Sequence, residues 1–206
     1  MDGVYEVKKI NPSCFDKTTE EILSNLEKTK NSFWNLDREC ANFLNTLIKI
    51  KNAKNVLEIG TSNGYSGIWI LEALKETKGK LTTVEYWEKR QSVARANFSK
   101  CVPEVYAESK IGAAVIVLED MLDEIKQNKR EKFDFVFIDA NKKEYIEYFE
   151  LIDKMINKGS VILADNILTH YKKVEDYVNA LFDNPSYQSQ ILPFGAGMML
   201  SYKISD

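Results

Sequence analysis

The chain has 206 residues, of which 44% are hydrophobic, and this is enough for one globular domain with a sizeable core. Its formal net charge of -3 and pI near 5.5 give no basic footprint of the kind that nucleic-acid-binding domains carry. No apolar run approaches the length of a membrane-spanning helix. These properties exclude a membrane-spanning protein and argue mildly against a partner made of nucleic acid.

The N-terminus and the cysteines indicate the cell compartment. The first residues lack the apolar segment of a signal peptide. Three cysteines, Cys14, Cys40 and Cys101, are far apart and show no spacing typical of metal ligands. Their odd number and distance favour reduced thiols, which are usual inside cells. We therefore expect a soluble protein located in the cytoplasm.

The hydrophobic pattern is helical before residue 54 and then alternates between strand and helix. We expect strands at residues 55–59, 80–85, 113–118, 135–138, 161–164, 187–192 and 198–204. Helices are expected between them, at residues 65–77, 88–100, 120–127, 143–157 and 172–182. The run at 113–118 is all apolar and could equally be a buried helix. Gly159 stands where the glycine that follows a helix end belongs.

This order of elements predicts the fold class. Strands that alternate with helices favour a doubly wound, mostly parallel α/β sheet with right-handed crossovers. The last two strands are joined by a short glycine-containing link at 193–197, which predicts a C-terminal antiparallel hairpin. We expect seven strands and a single domain over 1–206, with a helical segment at 1–53 and an α/β core at 54–206.

Two of the expected buried strands end abruptly in polar residues. Asp139 follows the strand at 135–138, and Asp165 and Asn166 follow the strand at 161–164. Ligands of parallel sheets bind at the carboxyl ends of the strands. Oxygen ligands without His or Cys favour Mg²⁺, Ca²⁺ or Mn²⁺, and Lys142 is close enough in sequence to serve as a base beside them. Taken singly, these residues could also cap a helix, build a turn or be solvated.

The first strand runs into a glycine-rich segment, residues 60–67, which we call the glycine loop. Its spacing, Gly-x-x-x-Gly-x-x-Gly, matches neither the dinucleotide fingerprint nor the Walker motif. Glu85 closes the second strand, where an acid can accept hydrogen bonds from ribose hydroxyls. By itself the glycine loop could also be an ordinary strand-to-helix turn.

Residues 58–66 resemble the S-adenosylmethionine motif of class I methyltransferases. Residues 133–142, 163–166 and 192–197 are similar, in this order, to segments of the cation-dependent O-methyltransferases, the group that includes caffeoyl-CoA and catechol O-methyltransferases. The resemblance covers roughly residues 35–203. It implies a Rossmann-like methyltransferase fold, a homodimer, and methyl transfer from S-adenosylmethionine to a hydroxyl of a catechol-like or vicinal-diol small molecule.

The resemblance also implies roles for individual residues. The implied cofactor-binding residues are Glu58, Gly60, Thr61, Gly64, Ser66, Glu85, Asp120 and Asp139. Among them, Ser66 would hydrogen-bond the methionine carboxylate, Glu85 would hold the ribose, and Asp120 would lie near the adenine amine. Asp139, Asp165 and Asn166 would ligate a divalent cation, with Mg²⁺ expected first. Lys142 and Asp139 would be the catalytic residues.

Three departures from the family pattern leave the acceptor open. Asn141 stands where the family often has an acid, Ala196 replaces an acid of the closing hairpin, and the link at 166–172 is short. Some members of the family that the chain resembles modify tRNA, so hydroxylated tRNA is an alternative acceptor. A cofactor-binding protein without metal-dependent activity is another interpretation. The missing dinucleotide fingerprint disfavours an oxidoreductase.

The single histidine and the tryptophans have simpler explanations. We expect His170 on the surface or in support of the hairpin, and Trp69 in the core. Trp34 and Trp87, near the starts of elements, could line a ligand cleft, but packing is the favoured interpretation.

Overall fold

In a computed structural model of the chain, the described residues are 15–206, so Cys14 and the N-terminal residues before it lie outside them. The helices are α1 (Lys17–Glu27), α2 (Lys30–Phe33), α3 (Arg38–Lys51), α4 (Tyr65–Thr77), α5 (Glu88–Cys101), α6 (Ala114–Lys126), α7 (Tyr145–Met155) and α8 (Tyr171–Phe182). The strands are β1 (Asn55–Ile59), β2 (Lys80–Glu85), β3 (Ala107–Ile111), β4 (Phe133–Ile138), β5 (Ile156–Ala164), β6 (Tyr187–Leu192) and β7 (Met198–Lys203). None of these helices is long and apolar enough to cross a membrane.

The strands of residues 15–206 form one seven-stranded sheet with the order β3-β2-β1-β4-β5-β7-β6. Strands β1 to β5 are parallel, and β7 lies antiparallel between β5 and β6. The predicted doubly wound α/β sheet with a C-terminal hairpin is therefore confirmed. The chain leaves β1 in one direction toward β2 and later returns to place β4 on the other side. This reversal makes a ligand crevice at the carboxyl ends of β1 and β4.

The central strands are buried on both faces, which explains their continuous apolar runs. In β4, Phe135 and Phe137 pack into the hydrophobic cluster that contains α3 and α4, whereas Val136 and Ile138 pack into the cluster of α6 to α8. Trp69 is buried in the first cluster, as the sequence predicts. Each layer of helices thus covers one face of the sheet and leaves the strand ends accessible.

The two cysteines of the described residues, Cys40 and Cys101, are buried and carry free thiols. Burial raises the pKa of the Cys40 thiol to about 12 and that of Cys101 to about 11. Both side chains therefore act as small apolar groups in the core at neutral pH.

The predicted third strand at 113–118 is wrong, and the helical alternative that this apolar run left open is right. These residues begin α6, whose buried face carries Val117, Leu118, Met121 and Leu122 at helical spacing. The third strand is instead β3, a half-exposed edge strand with the polar sequence Ala-Glu-Ser-Lys-Ile. An edge strand can be this polar because its outer side faces solvent.

The predicted helix at 143–157 ends earlier, and Gly159 does not follow its end. The helix α7 stops at Met155, Ile156 is already extended, and Gly159 lies inside β5 with a φ of +88°. The pairing of β4 with β5 shifts register between Phe133 and Phe135, so this glycine accompanies an irregularity of the ladder. Glycine is common at such irregularities because it adopts a positive φ without steric cost.

Candidate active site

A cavity of ≈ 780 Å³ opens at the carboxyl ends of β1, β2 and β4, at the crevice that the sheet order creates. Predicted cofactor residues that line it are Gly60, Thr61, Ser66 and Glu85. Asp139, Lys142 and Asn166 line the same cavity. The fold therefore brings the glycine loop and the polar strand ends, which are far apart in sequence, into one site.

Two glycines of the glycine loop are needed for its backbone path. Gly60 has a φ of +107°, and a Cβ at this position would lie 2.1 Å from the carbonyl oxygen of Asp139. Gly64 has a φ of +88°, and a Cβ there would lie 2.8 Å from the Phe98 ring. The glycine loop thus packs between the end of β4 and helix α5, and there is no room for a side chain at Gly60 or Gly64. Gly64 itself lies outside the cavity lining, so its contribution is to the turn.

We expect Gly60→Ala to be far more destabilising than Gly159→Ala. Both glycines have a positive φ, but a Cβ at Gly159 would meet its nearest atom only at 3.8 Å. Gly159→Ala should therefore cost about 1–2 kcal/mol from backbone strain alone. Gly60→Ala adds a clash with backbone and should cost at least about 2 kcal/mol more. Urea unfolding of both variants measures the difference, and equal losses would contradict the tight contact between the glycine loop and Asp139.

Glu58 lies beneath the glycine loop and not in the cavity lining. Its side chain is fully buried, and its carboxylate accepts hydrogen bonds from the Ser66 hydroxyl (2.6 Å) and the Thr83 hydroxyl (2.6 Å). Burial raises the pKa of Glu58 to about 7. The residue therefore holds Ser66 from below. Because the Ser66 hydrogen points to Glu58, this hydroxyl offers a ligand in the cavity its acceptor lone pairs.

Glu85 reaches the cavity from the end of β2, as the sequence predicts. Its two carboxylate oxygens accept hydrogen bonds from the backbone N–H of Ser62 (2.8 Å) and of Trp87 (2.9 Å). These bonds fix the orientation of the carboxylate. Each oxygen retains lone pairs that can accept hydrogen bonds from a vicinal diol such as that of a ribose.

Asp139, Asp165 and Asn166, which we call the oxygen cluster, follow two adjacent parallel strands. Ile138 and Ala164 are paired in register, and the Asp165 N–H donates to the Ile138 carbonyl (3.0 Å). Asp165 is only 4% exposed. Burial and the neighbouring charge of Asp139 raise the pKa of the Asp165 carboxyl well above its usual range.

The donors of the oxygen cluster fit a hard divalent cation. The Oδ1 atom of Asp165 is buried and has no hydrogen-bond partner among the described residues. An unsatisfied carboxylate oxygen beside a second carboxylate is costly unless positive charge offsets it. Residues 15–206 contain no group of three or more His, Cys, Asp or Glu side chains arranged for a metal. The third donor here would be the amide oxygen of Asn166, which is a normal ligand for Mg²⁺ or Ca²⁺.

Lys142 is held against the oxygen cluster. It begins a 3₁₀ turn at Lys142–Glu144, and its Nζ lies 2.7 Å from Asp139 Oδ1. The amine also lies 5.7 Å from the centre of the Tyr145 ring. Tyr145 was not among the predicted site residues, and its hydroxyl lies within hydrogen-bond distance of the carbonyl oxygens of Ile138 (3.3 Å) and Asp165 (3.1 Å). This buried tyrosine ties the ends of β4 and β5 together beneath the amine.

Asp120 does not join the site. It lies on the exposed face of α6, because the predicted strand before it is the first part of that helix. The end of the cavity beside β3 is lined instead by Gly112, Ala113 and Ala114. These small residues leave space there, and the glycine immediately after β3 is the sequence signal that indicates this end.

Two tryptophans line the cavity, contrary to the favoured interpretation of the sequence. Trp34 and Trp87 are 72% and 60% exposed and border the cavity, so the alternative of a ligand cleft is right for both. The Arg90 guanidinium lies 5.2 Å from the centre of the Trp34 ring, a cation–π contact across the rim. His170 also lines the cavity, close to Asn166, and its Nδ1 lies 3.1 Å from the Thr169 hydroxyl.

Comparison with known proteins supports the same interpretation of the fold. The family described as O-methyltransferase matches residues 13–204. A catechol O-methyltransferase of Niastella koreensis is 35% identical over 134 residues, which cover 65% of this chain and 58% of that protein. A caffeoyl-CoA O-methyltransferase of Petroselinum crispum is 29% identical over 225 aligned residues, which cover 99% of this chain and 92% of that protein. The structure of an O-methyltransferase from Bacillus cereus in complex with SAH is 28% identical, has a TM-score of 0.79 and covers 94% of this chain and 93% of that chain. Since the family match spans nearly the whole sequence, this chain belongs to the O-methyltransferase family.

Proposed function

We propose that the protein is an S-adenosylmethionine-dependent and divalent-cation-dependent O-methyltransferase that methylates a hydroxyl of a catechol-like or vicinal-diol small molecule. One observation carries this proposal. A single cavity joins the glycine loop and Glu85 to Asp139 and Asn166 of the oxygen cluster, and Asp165, which is buried behind the cavity lining, keeps an unsatisfied carboxylate oxygen. A methyl donor and a cation-held acceptor could therefore lie side by side.

The donor would occupy the end of the cavity formed by β1 and β2. Glu85 is oriented by two backbone N–H groups and would accept hydrogen bonds from the ribose hydroxyls. The glycine loop would lie along the methionine part, where Ser66 is fixed by Glu58. A lone pair on the Ser66 hydroxyl can accept a hydrogen bond from the ammonium group of the methionine part, whereas it cannot donate one to the methionine carboxylate.

The acceptor would occupy the end formed by β4 and β5. Asp139, Asp165 and Asn166 would hold the cation, which when bound lowers the pKa of a coordinated hydroxyl and fixes its orientation. Lys142 lies beside Asp139, where its side chain in the uncharged amine form would receive the proton of the acceptor hydroxyl. Positioning of this kind can lower the activation free energy by about 7–11 kcal/mol in well-oriented reactions.

The size of the cavity favours a small acceptor over tRNA. A volume of ≈ 780 Å³ lies in the usual range of about 300–1,000 Å³ for small-molecule pockets and must hold the cofactor as well. The names of the two relatives, a catechol and a caffeoyl-CoA O-methyltransferase, point to aromatic vicinal hydroxyls as the first acceptors to examine.

The direct test is transfer of a labelled methyl group from S-adenosylmethionine to simple catechols, with and without Mg²⁺. We expect product with Mg²⁺, none after addition of EDTA, and recovery when excess Mg²⁺ is restored. Phenol, which has one hydroxyl, serves as the matched acceptor control. Transfer that EDTA leaves unchanged would contradict the cation dependence. Cofactor binding without transfer to any phenolic acceptor would favour the cofactor-binding protein without activity, and transfer to hydroxylated tRNA alone would favour the RNA acceptor.

A further inference from the structure

Glu144 places a carboxylate in the wall of the cavity at the acceptor end. It is the last residue of the 3₁₀ turn that begins at Lys142, and it lines the cavity with Asn141, Tyr148 and His170. Its side chain is half-buried. The residue is thus part of the site without belonging to the oxygen cluster.

The Glu144 carboxylate is held firmly by two neutral donors. Asn141 Nδ2 donates to one oxygen, and the hydroxyl of the buried Tyr148 donates to the other at 2.6 Å. The asparagine that departs from the family pattern is therefore one of the groups that orient this carboxylate. A side chain fixed in this way loses little conformational freedom when it meets a ligand.

No cationic side chain among the described residues 15–206 compensates the charge of Glu144. In residues 15–206 its carboxylate forms no ion pair, and the nearby Lys142 amine is engaged with Asp139 at 2.7 Å. Carboxylates that are partly withdrawn from water are usually paired with a cation. Hydrogen bonds from an amide and a phenol satisfy two of its lone-pair positions and leave about two more.

The other charged groups of the lining have partners of their own. Glu85 accepts from backbone N–H groups at the donor end, and Arg90 lies over the Trp34 ring. Asp139 is paired with Lys142 and belongs to the proposed cation site. Among the carboxylates of residues 15–206 that line the acceptor end of the cavity, Glu144 is therefore the one without an ion pair.

We infer that Glu144 recognises a protonated amine on the methyl acceptor, and that the site thereby selects amine-bearing acceptors over acceptors that carry a carboxylate. This inference rests on the proposed function, because it concerns the acceptor of the same reaction. A charge-assisted hydrogen bond from an ammonium to a fixed carboxylate is strong, whereas a second carboxylate would be repelled.

The test compares three catechols that differ only in one ring substituent: aminoethyl, ethyl and carboxymethyl. We expect kcat/KM of the parent protein to follow the order aminoethyl, ethyl, carboxymethyl. Glu144→Gln should lower the ratio of kcat/KM for the aminoethyl catechol to that for the ethyl catechol about tenfold, because it removes the charge from the hydrogen bond. Glu144→Asp, which keeps the charge, should retain part of the preference. Glu147→Gln is the matched control, since Glu147 lies on the exposed side of α7 and should leave all ratios unchanged.

A second measurement separates this inference from the proposed function. Titration calorimetry with Mg²⁺ and S-adenosylhomocysteine present reads the affinities for the aminoethyl and carboxymethyl catechols without turnover. Equal affinities in the parent, or a Glu144→Gln variant that keeps the parent's ratio, would overturn the inference. The proposed function would still stand if the ethyl catechol is methylated with Mg²⁺. It would fail if no catechol is methylated, whatever the calorimetry gives.

Discussion

Replacing Asp165 by Asn is expected to lower Mg²⁺-dependent methyl transfer by at least about 100-fold, since it removes one carboxylate ligand of the proposed cation site. The substitution preserves the size of the side chain, so the ends of β4 and β5 should remain in place. Asp176→Asn is the matched control. Asp176 is exposed on α8, so this substitution makes the same chemical change outside the cavity. Initial rates over a series of Mg²⁺ concentrations measure the effect, and a parent-like rate for Asp165→Asn would contradict the metal mechanism.

The same substitution should have the opposite effect on stability without metal. Burial and the charge of Asp139 raise the pKa of Asp165 in the folded state. Ionisation of this carboxyl therefore lowers the stability of the fold as the pH rises above the pKa that Asp165 has in the unfolded chain. Asparagine carries no charge at any of these pH values. We therefore expect the metal-free Asp165→Asn variant to melt at a higher temperature than the metal-free parent at pH 8, and the difference to shrink toward pH 5. Thermal scans in EDTA at both pH values measure this, and a variant less stable than the parent at pH 8 would contradict the repulsion between the two carboxylates.

Lys142→Ala is expected to lower kcat by about 10²–10⁴-fold, the usual contribution of a positioned general base. The Lys142 amine lies beside Asp139 at the acceptor end and has no contact with Glu85 at the donor end. Affinity for S-adenosylhomocysteine should therefore stay close to that of the parent. Single-turnover rates and calorimetry measure the two quantities separately.

Lys143 provides the control for this prediction. It is the neighbouring lysine, it is exposed and it does not line the cavity. Lys143→Ala should therefore keep the parent's rate. A Lys142→Ala variant with an unchanged kcat would remove the lysine from the proton transfer, and an equal loss in both lysine variants would indicate a general effect of charge on the 3₁₀ turn.

Much of the fold could be predicted because the central strands are buried on both faces and therefore have distinctive sequences. The bounds expected for β1, β2, α4 and β6 agree with the structure. The prediction failed at β3, since an edge strand needs no apolar run, whereas the first turns of α6 do carry one. It failed again at Gly159, where the irregular pairing of β5 with β4, and not the local sequence, sets the conformation.

The site was predictable to the extent that it lies at strand ends. Glu85 is the last residue of a strand, Asp139 and Asp165 each follow one, and parallel strands bring such residues to one edge. Trp34 and His170 reach the cavity through the packing of loops, for which the sequence holds no periodic signal. The methyl acceptor, the homodimer and the cytoplasmic location stay predictions.

The contact between Gly60 and the Asp139 carbonyl has a consequence for how enzymes with this site can diversify. No side chain separates the glycine loop from the end of β4, so the spacing between the donor end and the acceptor end is set by two touching backbones. Side chains farther out, such as Glu144 and Trp34, can then be exchanged without altering that spacing. A change of acceptor could therefore come from exchanging such outer side chains while the backbone contact stays in place.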